Sequence, residues 1–214
     1  MTAADRLAAL PLRERKRARL RVGLWQAVRE RIEHTPFADI SVRELAAAQE
    51  VSEPTFFAHF SSKADLLAYH ICMWRIGTTL VASEAPEGAA FLRRFFDETA
   101  TAIVAGPRMW FEITAAVARG GGVCLPLEIS PAERLMVFDD VSALDVVITD
   151  QADLFRRHLR AAGHLPATPD QEAAVTGLLT GFYGVPLALG AARLDELHGA
   201  YRAHVDRFLP AGGR

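Results

Sequence analysis

Apolar residues recur every three or four positions along most of this chain. That is the period of helices with one buried face. Leu20, Leu24, Val28 and Ile32 make one such stripe, spaced by four. Alternating apolar and polar runs joined by Asn-Gly or Asp-Gly turns, the mark of β-hairpins, do not occur. Helix starts carry clear signals. Ser41-Val42-Arg43-Glu44 pairs a capping hydroxyl with a carboxylate three residues on, and Ser62-Lys63-Ala64-Asp65 is a shorter-armed version. Ser130-Pro131-Ala132-Glu133 and Thr168-Pro169-Asp170-Gln171 add proline where a helix tolerates it best. The pattern predicts an all-α protein of about nine helices, near 13–34, 41–49, 53–60, 63–82, 88–105, 107–119, 131–162, 169–192 and 194–209. Gly120-Gly121-Gly122 opens the clearest loop, and Pro186 is expected to kink its helix.

Residues 41–60 narrow the picture. A capped helix carrying Val42, Leu45 and Ala46 is followed by Glu50-Val51-Ser52, and then by a second short helix with Pro54 near its start. Small residues Ala46-Ala47-Ala48 would let two helix axes approach closely, with Val51 plugging the corner. Two short helices joined this way predict a helix-turn-helix, whose second member enters a DNA major groove.

Composition supports a globular body: half of the 214 residues are hydrophobic and 23% are charged. No apolar run looks long enough to span a bilayer, and Met1 to Leu12 lacks the pattern of a signal peptide, so a cytoplasmic protein is expected. Cys72 and Cys124 have neither metal-ligand nor disulfide spacing and read as buried or half-buried thiols. The net charge of −2 is unevenly spread. Residues 1–63 carry +3, much of it in Arg13-Glu14-Arg15-Lys16-Arg17-Ala18-Arg19-Leu20-Arg21, and the remainder carries −5. A basic head on a mildly acidic body suits phosphate contact. Catalysis finds no support: there is no glycine-rich phosphate loop, no zinc pair and no nucleophile elbow, so no catalytic residue, metal or cofactor is expected. Asp139, Asp140, Asp145, Asp150 and Asp153 scatter around a helix and read as a solvated face.

Residues 17–71 resemble the N-terminal domain of TetR-type transcriptional regulators. The resemblance rests on Ile40-Ser41-Val42-Arg43-Glu44-Leu45-Ala46, the turn ending Val51-Ser52, Thr55-Phe56-Phe57-Ala58-His59-Phe60 and Ser62-Lys63-Ala64-Asp65-Leu66-Leu67, in that order and spacing. It implies a DNA-binding domain over 13–65 and a ligand-binding and dimerisation domain over 66–214. It also implies that Ser41 and Lys63 hold phosphates, and that Arg43, Ser52, Glu53, Thr55, Phe57 and His59 lie at or near DNA. Three departures stand out. Glu50 occupies a turn position usually held by glycine, Phe57 has no phenol hydroxyl to offer a phosphate, and Glu53 puts a negative charge at the start of the recognition helix. The implied partners are a double-stranded operator, a small, largely apolar effector and a second copy of the chain, with no membrane. The alternative is a divergent dimer that binds a ligand or protein with weakened DNA binding.

Beyond Leu66 the residues must speak for themselves. Trp74, Phe95, Trp110, Phe111 and Phe155 are candidate lining for an effector pocket, with Arg75, Glu112 and Arg119 as polar anchors. Each also suits an ordinary core or surface position. Gly177, Gly181, Gly184 and Ala188 recur at three to four residue intervals on one helix, beside Phe182. Small residues in a row permit close helix approach, so these five are the candidate dimer interface. Close approach within one subunit fits them equally well.

Overall fold

A computed structural model describes residues 1–119, 127–165 and 167–209 of the chain. Among them no strand occurs, and eleven α-helices follow in order. They are α1 (Ala3–Ala9), α2 (Leu12–Ile32), α3 (Val42–Ala47), α4 (Glu53–Phe57), α5 (Asp65–Ala82), α6 (Ala89–Ala105), α7 (Pro107–Ala118), α8 (Pro131–Phe138), α9 (Gln151–Ala161), α10 (Pro169–Leu189) and α11 (Leu197–Asp206). The expected glycine loop and Cys124 fall outside the described residues; Cys72 is buried. Contacts group the chain into two compact units, residues 1–77 with 108–147, and residues 78–107 with 148–214.

In the first unit, α2 buries Leu24, Val28 and Ile32 completely, as its stripe requires. It also buries Arg21, whose Nε lies 3.1 Å from Glu133 Oε1 of α8 in a charge pair that is 7% and 2% exposed. The Arg21 guanidinium lies over the rings of Phe60 and Tyr69, 5.1 and 5.0 Å from their centroids. Tyr69 Oη donates to Glu133 Oε1 at 2.8 Å. Burial first, and the Glu133 charge second, raise the Tyr69 phenol well above its ordinary range. One acid therefore ties α2, α5 and α8 together. The capping signals hold: Ser130 and Glu133 form a reciprocal capping box at α8, and Thr168 caps α10.

Two expectations about helix bounds need correction. A short helix, α1, precedes the basic stretch, capped reciprocally by Thr2 and Asp5. The long helix expected over 131–162 is two helices, α8 and α9, separated by a 3-10 turn at Val141–Leu144. The aspartates read as a solvated face are its punctuation. Asp139 ends α8 in a left-handed conformation, φ 49°. Asp140 accepts from Ser142 N at 2.7 Å, and Asp150 caps α9 through Ala152 N. Arg134 then satisfies the freed carbonyls of Ala143 and Val146 at 3.0 and 2.7 Å.

The second unit has an aromatic centre. Phe96 stacks on Phe155 at 5.6 Å and meets Tyr201 edge-on at 5.0 Å, while Phe95 meets Phe155 at 5.9 Å. Tyr201 Oη donates to Phe182 O at 2.7 Å. Helix α10 runs on past Pro186 to Leu189. It is also long and apolar enough, by length and composition, to cross a membrane, which corrects the expectation that no run is. It buries Val175, Leu178 and Phe182 and lies against α9 and α11.

Candidate nucleic-acid interface

Helices α3 and α4 pack against each other through a tight turn. Ser41 caps α3: its Oγ accepts from Glu44 N at 3.1 Å, while Glu44 Oε2 accepts from Ser41 N at 3.0 Å. Leu45 and Ala46 are buried; Ala47 and Ala48 are exposed, so one alanine of the three makes the close crossing. The helix ends in a Schellman arrangement. Val51 N donates to Ala46 O at 3.0 Å and Glu50 N to Ala47 O at 3.1 Å. Glu50 takes φ 54°, the left-handed conformation that favours glycine and costs a residue with a Cβ about 1 kcal/mol.

Ser52 then caps α4, its Oγ accepting from Thr55 N at 3.3 Å and lying 2.9 Å from Thr55 Oγ1. Pro54 sits in the first turn. Phe56 and Phe60 are fully buried and anchor the helix from beneath. The opposite side is open: Arg43, Ser52, Glu53 and Phe57 are exposed, Phe57 at 49%, and Thr55 is half-buried. Ser41, Arg43, Ser52, Glu53, Thr55 and Phe57 are thus on or next to one short two-helix element, with small polar groups and a phenyl ring at its surface. His59 follows, half-buried. Burial, then the charges of Arg17 and Arg21, hold its imidazole below the usual histidine range.

Lys63 departs from expectation. It precedes α5 rather than lying in its first turn. Its Nζ donates to Phe37 O, Ala38 O and Ile40 O at 2.6, 3.0 and 2.7 Å, and it lies over the Phe37 ring. An ammonium has three donors, and this one spends all three on the segment leading into α3. The same segment is held from α7, where Glu112 Oε1 accepts from Phe37 N at 3.1 Å. Glu112, offered earlier as an effector anchor, is committed here. Hydrogen bonds to a charged group contribute about 1.5–3 kcal/mol each where buried, and together less than their sum where, as here, the lysine is only half-buried. Lys63→Ala should lower the unfolding free energy by about 2–3 kcal/mol, read by urea denaturation. A change below about 0.5 kcal/mol would leave the side chain free for another role.

The other candidates separate. Trp74 and Trp110 meet edge-on at 6.3 Å in the first unit, where Phe111 is half-buried. Phe95 and Phe155 are fully buried in the aromatic centre of the second unit. Of the small-residue row, a Cβ on Gly177 would meet Phe208 at 2.2 Å, and one on Gly181 would meet His204 at 1.9 Å. Phe182 is 1% exposed. These three pack against their own chain, the second of the two roles the sequence left open. Gly184 has open space around it, and Ala188 is exposed. The buried acid Glu133 was missed as a packing residue; its capping signal was legible, but nothing local marked its pairing with Arg21.

Residues 26–69 match the family described as bacterial regulatory proteins, tetR family. No curated protein matches the chain in sequence. Several solved structures match its fold. A candidate TetR-family transcriptional regulator from Mesorhizobium loti MAFF303099 aligns over 90% of this chain and 96% of its own, with TM-score 0.52 and 18% identity. A candidate transcriptional regulator from Pseudomonas aeruginosa PAO1 aligns over 94% of this chain and 93% of its own, with TM-score 0.52 and 21% identity. At these identities the likeness is one of fold. Residues 26–69 are therefore similar to the tetR family of bacterial regulatory proteins, and the chain shares its all-helical fold with these solved structures.

Proposed function

We propose that this protein is a cytoplasmic transcriptional repressor that holds its operator as a homodimer and releases it when a small, largely apolar effector binds. The observation that carries the DNA half is the open face of α4, where Ser52, Glu53, Thr55 and Phe57 surround a helix anchored by Phe56 and Phe60. Hydroxyls at a helix start suit backbone phosphates, and Thr55 and Arg43 are placed for base edges or phosphates. Glu53 suits a cytosine amino group. Lys63 and Glu112 serve by holding the approach to α3. For the dimer, Thr180, Leu187 and Ala188 are exposed on α10 and Gly184 is unobstructed, leaving one face of an apolar helix uncovered. Two copies would set their recognition helices about 34–36 Å apart, one turn of DNA. Trp74, Trp110 and Phe111 remain the candidate effector lining.

The test is fluorescence anisotropy with duplex DNA from upstream of the protein's own gene. Affinity should fall steeply with salt, because bound phosphates release counterions. Absence of a salt-sensitive complex at low ionic strength would count against the reading. A second reading, a dimer with decayed DNA contact, draws on Glu50, Glu53 and Phe57. It would be favoured if Thr55→Ala and Arg43→Ala left duplex affinity unchanged.

A further inference from the structure

The start of α2 and the end of α4 enclose a cleft of about 470 Å³, lined by Arg13, Lys16, Arg17, Leu20, Ala58 and His59. Arg13, Lys16, Arg17 and Leu20 recur at three, four and seven residues, so they share one face of α2. The three cations are exposed, and among the described residues none of them forms an ion pair. Arg21, one turn further on, shows the contrast: it is buried against Glu133. No carboxylate lines the cleft; Glu133 acts on His59 only from beyond it, and weakly. His59 Nδ1 is buried and has no hydrogen-bond partner.

We propose that this cleft is a phosphate seat, in which Arg13, Lys16, Arg17 and His59 close on a phosphodiester of the DNA backbone beside the groove that α4 enters. The proposal rests on the DNA-binding reading above and adds contacts to it. Crowding three cations without a counter-charge is unfavourable unless an anion joins them. Guanidinium forks fit phosphate oxygens two at a time. His59 follows Ala58, which ends α4. A backbone phosphate flanking the groove is therefore brought to the seat by the same docking that inserts the helix. Leu20 and Ala58 offer apolar surface to the adjoining sugar. With an anion in place, the neutral His59 is drawn toward its protonated form.

The experiment measures the salt dependence of binding to a short random-sequence duplex, so no operator need be known. Arg17→Ala and Arg13→Ala should each make the slope of log K against log salt shallower by about 0.9 per lost phosphate. Arg19→Ala, on the same helix but outside the cleft, should leave it unchanged. Circular dichroism checks that the variants fold. Variant slopes equal to wild type overturn the seat but leave DNA binding standing. An equal loss from Arg19→Ala also overturns it, in favour of a diffuse basic face. If the wild-type protein binds no duplex, the DNA reading itself fails, and titration with inorganic phosphate then decides. A shift of the His59 ring proton signals in wild type, abolished in Arg17→Ala, supports a seat for a free phosphate; no shift overturns it.

Discussion

Glu133→Gln will lower the unfolding free energy by about 3–5 kcal/mol, a loss large enough to unfold a marginal domain. The cause is the company the carboxylate keeps. It is 1% exposed, pairs with the buried guanidinium of Arg21, accepts from Tyr69 Oη and caps α8 through Ser130 N at 2.7 Å. Glutamine can keep one hydrogen bond, but it leaves a buried cation without its counter-charge. Its single oxygen can take the place of Oε1, facing Tyr69, or of Oε2, capping Ser130 N, and the amide nitrogen then meets the other donor. Removing both charges tests the cause. Arg21→Met with Glu133→Leu should recover much of the loss, since matched apolar replacements of buried pairs are often neutral. Chemical denaturation of the two variants measures this. A double variant as unstable as the single would show that the cap and the Tyr69 bond matter more than the charge pair.

Phe155→Ala is the second large effect, with an expected loss of about 3–5 kcal/mol. Phe155 has no exposed surface and touches Phe95 and Phe96 with ring centroids at 5.9 and 5.6 Å. Deleting the ring removes its transfer free energy and leaves a cavity among side chains that cannot close around it. The midpoint of urea unfolding should fall with little change in slope. The contrary result is informative. A loss under about 1 kcal/mol would mean that Phe155 borders space already empty, which is what an effector pocket requires.

The two predictions mark the limits of the sequence from opposite sides. The stripe members Leu24, Val28 and Ile32 and the caps at Ser41, Ser130 and Thr168 were all legible locally, and their residues behave accordingly, while Leu20 at the stripe's start is only half-buried. Glu50 was singled out by the resemblance, whose turn usually holds glycine there, and it does take the left-handed conformation. The break after Phe138 was not legible. The apolar period continues through it, and consecutive aspartates can face solvent on a helix as readily as they can end one. Arg134 makes the difference by satisfying the carbonyls that the break frees.

Function-bearing side chains divide in the same way. Which residues could face DNA followed from an ordered motif whose pieces, from Ile40 to Leu67, follow one another in a fixed order and spacing. Which cation was left without a counter-charge did not follow. Lys63 and Arg17 look alike along the chain, yet Lys63 meets three carbonyls from 23 to 26 residues away, while Arg17 lines an open cleft. Gly181 and Gly184 look alike too, yet one lies under His204 and the other faces open space. By itself, then, the sequence determined most of the helices, the caps at Ser41, Ser130 and Thr168 and the helix-turn-helix, because those depend on neighbours within a few residues. Only the tertiary structure decided which charges are neutralised and which faces are covered, because those partners come from distant parts of the chain.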